Sequence, residues 1–182
     1  MKQLEDVRIA LSRKAAEMLH AMSETDPGFV SSMVPATPGA SAQEVGHLEM
    51  ALGRSLPTTL RDVLASYEVG GLELCGIVFG AEISMCDFLA RQIQRPHLVW
   101  GGWQPSPDLL IVGSSAGYVF FVSVSDGRVW ACLREWPLAD RMVIAGDFTL
   151  LLRALGTLVL TEAIDDPEAL AADLAVEVGA AG

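Results

Sequence analysis

Residues 109–132 read LLIVGSSAGYVFFVSVSDGRVWAC, which is three short apolar runs separated by two small-residue segments. The runs at 109–112, 118–122 and 128–132 are rich in the β-branched and aromatic residues typical of strands. Ser125-Asp126-Gly127 joins the last two runs, and Asp-Gly is a strong hairpin signal because both residues tolerate a tight turn. The stretch therefore predicts an antiparallel meander and not a series of β-α-β units.

Before this predicted sheet, apolar residues recur at helical spacing. One stripe predicts a first helix that ends before residues 26–28, and it comprises Leu4, Val7, Leu11, Ala15, Met18 and Met22. Ser41 and Glu44 have the form of a capping box, so a second helix should begin there, with Gly53 placed to end it. Pro57 suits the first turn of a third helix.

Between the third helix and the meander, residues 72–79 predict one or two short strands around Gly76. Ser84 and Asp87 form another capping pair, which predicts a helix through about residue 94. Residues 96–108 then predict an irregular loop that contains two tryptophans.

After the meander, Asp147 can cap an apolar helix, and Asp166-Pro167 can begin a last, acidic one. Helices before and after a small antiparallel sheet predict an α+β fold with extra N-terminal and C-terminal helices. We expect a single domain over residues 1–182. Its predicted parts are a helix and loop at 1–40, a core at 41–156 and an acidic helical extension at 157–182.

Composition and charge limit the classes of partner. The chain has 182 residues, of which 51% are hydrophobic, and a formal net charge of −11. This charge disfavours nucleic acid and anionic membranes, and it favours a basic protein partner. Much of the charge lies near the C-terminus, where six acids follow Thr161 without any Lys or Arg (Glu162, Asp165, Asp166, Glu168, Asp173 and Glu177).

The sequence predicts a soluble, cytoplasmic protein. The N-terminus has no apolar segment of the kind found in signal peptides, and the most apolar stretch, residues 142–160, is interrupted by Asp147 and Arg153. Three cysteines with no C-x-x-C pair predict buried free thiols and not a disulfide framework, and they are Cys75, Cys86 and Cys132.

No catalytic, metal or cofactor site is expected. Residues 113–117 match the G-x-S-x-G pattern around Ser115, but a strand-like run follows where a nucleophile elbow needs a helix. All three histidines precede Ser115, and none has metal-ligand spacing: His20, His47 and His97. A glycine-rich hairpin turn is the better interpretation of this motif, and a serine enzyme stays open as a rival hypothesis.

The tryptophans are candidates for binding. Trp100 and Trp103 lie in the predicted loop, and tryptophan is over-represented at interface hot spots. Covering the edge of the sheet is an equally good interpretation of Trp103. Trp130 lies within a predicted strand and should belong to the core.

Around the second and third helices, an apolar-Glu pair is followed by Leu-Gly, Leu-Pro and a glycine pair, and the residues of this pattern are Val45, Leu48, Glu49, Leu52, Gly53, Leu56, Pro57, Leu64, Gly70 and Gly71. The pattern resembles the N-terminal signature of the SUKH superfamily. The strand pair around residues 113–117, the hairpin at 126–130 and the helix at 148–155 are similar to the family's later elements. The resemblance covers about residues 41–156.

This resemblance implies an immunity protein that binds a cognate bacterial toxin, many of which are nucleases, and blocks its active site. Other relatives are regulatory scaffolds, so a scaffold role stays open, as does homodimerisation through the extra helices. Charge and expected loop or edge position indicate eight candidate toxin contacts, which are Glu68, Glu73, Glu82, Asp87, Trp100, Trp103, Asp108 and Glu135.

Overall fold

The computed structural model describes residues 3–21, 32–81 and 83–161, and these ranges hold five α-helices and a six-stranded sheet. The helices are α1 (Leu4–Ala21), α2 (Ala42–Leu52), α3 (Thr58–Ser66), α4 (Met85–Gln94) and α5 (Phe148–Thr161). The strands are β1 (Glu73–Leu74), β2 (Ile77–Phe79), β3 (Leu109–Ser114), β4 (Tyr118–Ser123), β5 (Val129–Leu133) and β6 (Met142–Ala145). The fold class is α+β, as the sequence predicts.

Several sequence predictions fall outside the described residues. Two of them concern the first helix, namely its last apolar position, Met22, and its predicted stop at residues 26–28. The others are the candidate contact Glu82 and the acidic C-terminal segment, residues 162–182. The apolar helix predicted after Asp147 is α5, which continues without interruption across residue 156 to Thr161.

The sheet is an antiparallel meander in which each strand pairs with its neighbours in sequence, in the order β1 to β6. This confirms the predicted topology. Strand β6 is absent from the sequence predictions, since its four residues lead almost directly into the apolar helix α5. A short apolar run next to an apolar helix has no period that separates the two.

Local hydrogen bonds set the helix boundaries. The Glu44 amide donates to Ser41 Oγ at 3.2 Å and the Ser41 amide donates to Glu44 Oε2 at 2.8 Å, so both halves of the predicted capping box are present. Helix α2 ends at Gly53, whose φ of 74° is the left-handed conformation that glycine adopts without strain. Pro57 precedes α3 as its N-cap residue and does not lie in its first turn.

The later helix starts also follow the predictions. Ser84 Oγ accepts a hydrogen bond from the Asp87 amide at 3.1 Å, and Asp147 Oδ1 accepts one from the Leu150 amide at 2.7 Å. The prediction of buried thiols is correct for two of the three cysteines. It is wrong for Cys75, which is exposed in the turn between β1 and β2.

The two faces of the sheet pack against different covers. One face contributes Leu110, Val112, Phe120, Val122, Val129 and Ala131 to the main core, which also contains buried residues of all five helices. The other face contributes Leu109, Ile111, Val119, Phe121 and Cys132 to a second cluster, together with Trp100. Strands β3 and β4 are therefore buried on both faces, which explains why their sequences read as continuous apolar runs.

Helix α1 packs into the main core through Leu4, Val7 and Leu11, although the resemblance begins only at residue 41. It crosses α5 at Gly156, where a Cβ atom would lie 2.3 Å from Val7 Cγ1. Lys14 Nζ also donates to the backbone oxygen of Val159 at 2.7 Å. The close approach of α1 and α5 thus requires the glycine.

The glutamate of the Leu-Gly, Leu-Pro motif fixes the connection between α2 and α3. Glu49 Oε1 accepts hydrogen bonds from the Leu56 amide at 2.8 Å and from Arg61 Nε at 3.0 Å. The Arg61 guanidinium, followed by the Leu56 amide, holds the pKa of Glu49 below its ordinary value of 4.5. The charged form of Glu49 is therefore the form that stabilises the fold.

We predict opposite effects for two helical Gly→Ala substitutions. Gly156→Ala should lower the free energy of unfolding by about 1–3 kcal/mol, because the new methyl group overlaps Val7. Gly46→Ala in α2 is the control, since its Cβ would meet no atom within 4 Å. It should raise stability by about 1 kcal/mol or less through helix propensity. Urea denaturation of both variants measures this, and equal effects would contradict the close packing of α1 on α5.

Glu49→Gln should destabilise the protein by about 1 kcal/mol at neutral pH, because it removes a charge-assisted hydrogen bond to Arg61. A lowered native pKa contributes stability above the unfolded pKa, and this contribution is lost as the pH falls towards the native value. The deficit should therefore be constant above about pH 5 and shrink below it. Denaturation at several pH values measures it, with Asp62→Asn on the exposed side of α3 as a control that should show no comparable deficit. A pH-independent deficit would reject the electrostatic explanation.

Candidate functional site

The structure brings three of the eight predicted contacts together. Trp100, Trp103 and Glu135 line one cleft of about 410 Å³ on the second face of the sheet. The cleft is formed by residues 99–103, residues 134–137 and Val119 of β4. The first segment belongs to the loop before β3 and the second follows β5, so residues far apart in sequence meet here.

Aromatic packing holds the cleft in place. The rings of Trp100 and Trp103 lie 5.8 Å and 5.6 Å from the ring of Phe121, which is fully buried in β4. Trp103 Nε1 donates a hydrogen bond to the backbone oxygen of Trp136 at 2.8 Å, which ties the two lining segments together. The cleft therefore rests on a rigid sheet, which favours preorganised binding.

The tryptophans differ in their exposure to solvent. Trp100 is only 3% exposed, so it supports the cleft from below and is not a surface anchor. Trp103 is half-buried, so it covers part of the sheet and also leaves some of its surface open for binding. The sequence left these two interpretations open. Trp136 is 44% exposed and is the best-placed anchor, yet the sequence analysis did not select it. Its only signal was its position in a short polar segment after a strand.

Trp130 is half-buried on the same face of the sheet, where it packs against the second cluster. The guanidinium carbon of Arg141 lies over its ring, 4.7 Å from the centroid. Trp130 thus belongs to the packed face, as expected of a strand residue, and does not line the cleft.

Two charged residues line the cleft. The Glu135 side chain is exposed and makes no hydrogen bond or ion pair with any described residue. Arg134 instead directs Nη2 to the backbone oxygen of Ser115 at 3.3 Å, in the turn between β3 and β4. Arg134 and Glu135 therefore form no ion pair, and the cleft carries one exposed guanidinium and one exposed carboxylate.

The other acidic candidates among the described residues lie elsewhere, and two of them are occupied by internal contacts. Glu68 Oε1 accepts hydrogen bonds from the backbone amides of Gly70 and Met85, so it holds the start of α4 in place. Asp108 accepts hydrogen bonds from Ser123 Oγ, Ser125 Oγ and Arg54 Nη2 at the start of β3. Both carboxylates have structural roles that their sequence positions did not indicate.

Glu73 and Asp87 are not part of the cleft either. Glu73 is half-buried in the edge strand β1, where its amide donates to the backbone oxygen of Ser32 at 2.8 Å. Asp87 is exposed in the first turn of α4. The seven predicted contacts that lie within the described residues therefore do not form one continuous acidic face.

The G-x-S-x-G segment is a hairpin turn, as the sequence analysis favoured. Ser115 lies between β3 and β4, and its Oγ accepts a hydrogen bond from the Tyr118 amide at 3.2 Å. A strand and not a helix follows it, so the geometry of a nucleophile elbow is not formed. Within the described ranges, no group of three His, Cys, Asp or Glu side chains could hold a metal ion.

A second, more apolar cleft of about 320 Å³ lies on the other side of Trp100, between α4 and the proline-containing part of the loop. It is lined by Ile93, Pro96 and Pro107, among others. Its one buried polar side chain, Gln92, is already engaged with both the amide and the backbone oxygen of Ile111. This cleft offers a bound molecule few polar partners.

Among the helices in the described part of the chain, none has both the length and the apolar character needed to cross a membrane.

Alanine replacement of Trp100 and Trp136 should distinguish a buried supporting residue from a surface residue. Trp100→Ala should cost about 3–5 kcal/mol of stability, because it leaves a cavity against Phe121. Trp136→Ala should cost only about 1 kcal/mol or less, since the side chain is largely exposed and the backbone oxygen that accepts from Trp103 remains. Thermal or urea unfolding measures both values. A cost for Trp136→Ala as large as that for Trp100→Ala would contradict the assignment of Trp136 to the surface.

Comparison with known proteins supplies no relative on which a function could be based. A scan against protein-family models finds no match, and a search of the curated proteins finds none either. The candidate site is therefore defined by its geometry alone, as a tryptophan-lined cleft with one exposed carboxylate and one exposed guanidinium at its wall.

Proposed function

We propose that this chain is a cytoplasmic immunity protein of the SUKH type, which binds a toxin protein in a one-to-one complex and blocks its active site. The observation that carries the proposal is the cleft lined by Trp100, Trp103 and Trp136, with Trp136 exposed at its edge. Exposed tryptophan on a rigid support is typical of interface hot spots, because it buries a large area at little cost in side-chain entropy.

The residues of the motif that resembles SUKH support the same proposal through their physical roles. Glu49 joins α2 to α3, and Gly53 ends α2 in a left-handed conformation. These residues build the helical side of the core, and the tryptophan cleft lies on the opposite face of the sheet. A common scaffold with a variable binding face is what a family of inhibitors with different targets requires.

The distribution of charge supports a basic target. Of the formal charge of −11, residues 162–182 contribute −6 through six acids and no Lys or Arg. Long-range attraction of this kind accelerates encounter, whereas the packed aromatic contact slows dissociation. The resulting mechanism is occupation of the toxin's substrate cleft, without any chemical step in the immunity protein.

The experiment is co-expression with the product of the neighbouring gene in a bacterial host, with growth as the readout. We expect the wild-type chain to restore growth and to co-purify with the toxin. Trp136→Ala should weaken the purified complex by at least about 30-fold, the effect of a hot-spot residue of about 2 kcal/mol. Met50→Ala is the matched control, because Met50 is 76% exposed on α2 and lies outside the cleft.

Two results would contradict the proposal. If Trp136→Ala and Met50→Ala bind the toxin with equal affinity, the cleft is not part of the interface. A neighbouring product that does not impair growth by itself would reject immunity for this pair and favour the regulatory scaffold instead.

A further inference from the structure

The segments that form the tryptophan face carry no net charge, although the chain as a whole has a formal charge of −11. Residues 99–107 and 109–125 contain no charged side chain, and Asp108 between them is paired with Arg54 at 3.0 Å. Residues 129–141 contain two arginines and two acids, which are Arg134, Arg141, Glu135 and Asp140. Copies of a strongly charged protein repel each other. A second copy therefore meets little repulsion at this face.

One wall of the cleft presents an exposed indole next to one charge of each sign. Arg134, Glu135 and Trp136 are consecutive and exposed, and the two charged side chains form no ion pair with each other. In the other lining segment, a Cβ atom at Gly101 or Gly102 would meet no atom within 4 Å, so that side of the cleft is open. The cleft thus combines an apolar anchor with open space that can receive one.

A patch of this kind is complementary to itself. In a two-fold interface every contact occurs twice, because residue i of one copy meets residue j of the other and j meets i. Two copies related in this way can place each Arg134 beside the other copy's Glu135, which gives two equivalent ion pairs of favourable sign. The same rotation can bring each Trp136 against the other copy's cleft.

We infer that this chain forms a weak two-fold homodimer through the tryptophan cleft, with Trp136 of each copy on the other copy's cleft and with reciprocal Arg134–Glu135 ion pairs. Burial of the indoles supplies most of the affinity, whereas exposed ion pairs contribute little and mainly fix the orientation. Because the contact surface is small, we expect a dissociation constant on the order of 10 µM. The chain is then monomeric when dilute, and its cleft is open.

Helix α1 offers a second copy less than the cleft does. The sequence left homodimerisation through the extra helices open, but α1 packs Leu4, Val7 and Leu11 into the core of its own chain. Its exposed large apolar residue is Ile9, which has no exposed aromatic neighbour on the helix. The cleft has both an exposed tryptophan and charges that can pair across a two-fold axis.

The inference goes beyond the proposed function and does not rest on it. A toxin that binds the cleft competes with the second copy, because both cover Trp136. The homodimer therefore has to dissociate as the one-to-one toxin complex forms. The homodimer can be tested with the purified chain alone, without a toxin.

Sedimentation velocity of the full chain, between about 1 and 300 µM, measures the association. We expect the mass to rise from 19.4 kDa towards twice that value, and to fall again on dilution. Trp136→Ala should weaken the dimer at least about 30-fold, as expected for a hot-spot residue. Met50→Ala is the matched control, because Met50 is an exposed apolar residue on α2 outside the cleft, and it should leave the dimer unchanged.

Charge reversal tests the reciprocal ion pairs. Glu135→Arg and Arg134→Glu should each weaken the dimer about fivefold or more, since like charges then face each other twice. The double variant R134E/E135R exchanges the two signs and should return the affinity to within about twofold of the wild-type value. Asp62→Arg on α3 is the control, because it makes the same change of charge as Glu135→Arg at an exposed position outside the cleft. It should not weaken the dimer.

Three results would each overturn the inference. They are a mass that stays at 19.4 kDa over the whole concentration range, a dimer that Trp136→Ala does not weaken, and a double variant that associates no better than the single ones. The immunity proposal fails or holds separately. A chain that neutralises a toxin without dimerising keeps the proposed function and loses the homodimer, and a dimer that neutralises no toxin does the reverse.

Discussion

The central strands of this protein are buried on both faces, and the rest of the architecture follows from that constraint. Residues of β3 and β4 point alternately into the helical core and into the second cluster around Phe121. A sheet of this kind needs two covers, because each exposed apolar face would cost free energy in proportion to its area. The helices of the described residues pack into the core on one face, and a tryptophan-containing loop, together with Phe88 of α4, covers the other.

The two faces of the sheet differ in the kind of structure that covers them. A helical layer packs closely through regular side-chain rows, whereas an irregular loop leaves gaps between large aromatic groups. Trp100 fills the centre of this loop, and clefts remain on both of its sides. The same loop thus protects the sheet and creates a concave surface, which is why the candidate site lies there and not on the helices.

The features that the sequence predicts best are those determined by interactions among a few neighbouring residues. The Ser41 capping box, the end of α2 at Gly53 and the hairpin turns depend on local geometry, and the structure has each of them. Strand β6 could not be predicted, since an edge strand of four residues is defined by pairing with β5. The hydrogen bonds of β6 depend on the tertiary structure and not on its local sequence pattern.

The candidate site was harder to predict for the same reason. Trp100 and Glu68 were selected as surface residues, but burial against Phe121 and two backbone amides give them internal roles. Trp136 was overlooked because exposure beside another tryptophan depends on how two distant loops meet. Charge and residue type identify candidates, and only the fold shows which of them meet.

We propose that a partner protein binds to the tryptophan face and not to the helical face. Hydrogen–deuterium exchange of the chain, alone and in complex with a partner protein that co-purifies with it, tests this directly. We expect slower exchange in residues 99–103 and 134–137 on complex formation, with little change in α1 and α2. Protection confined to the helices, with unchanged exchange around Trp103 and Trp136, would contradict it.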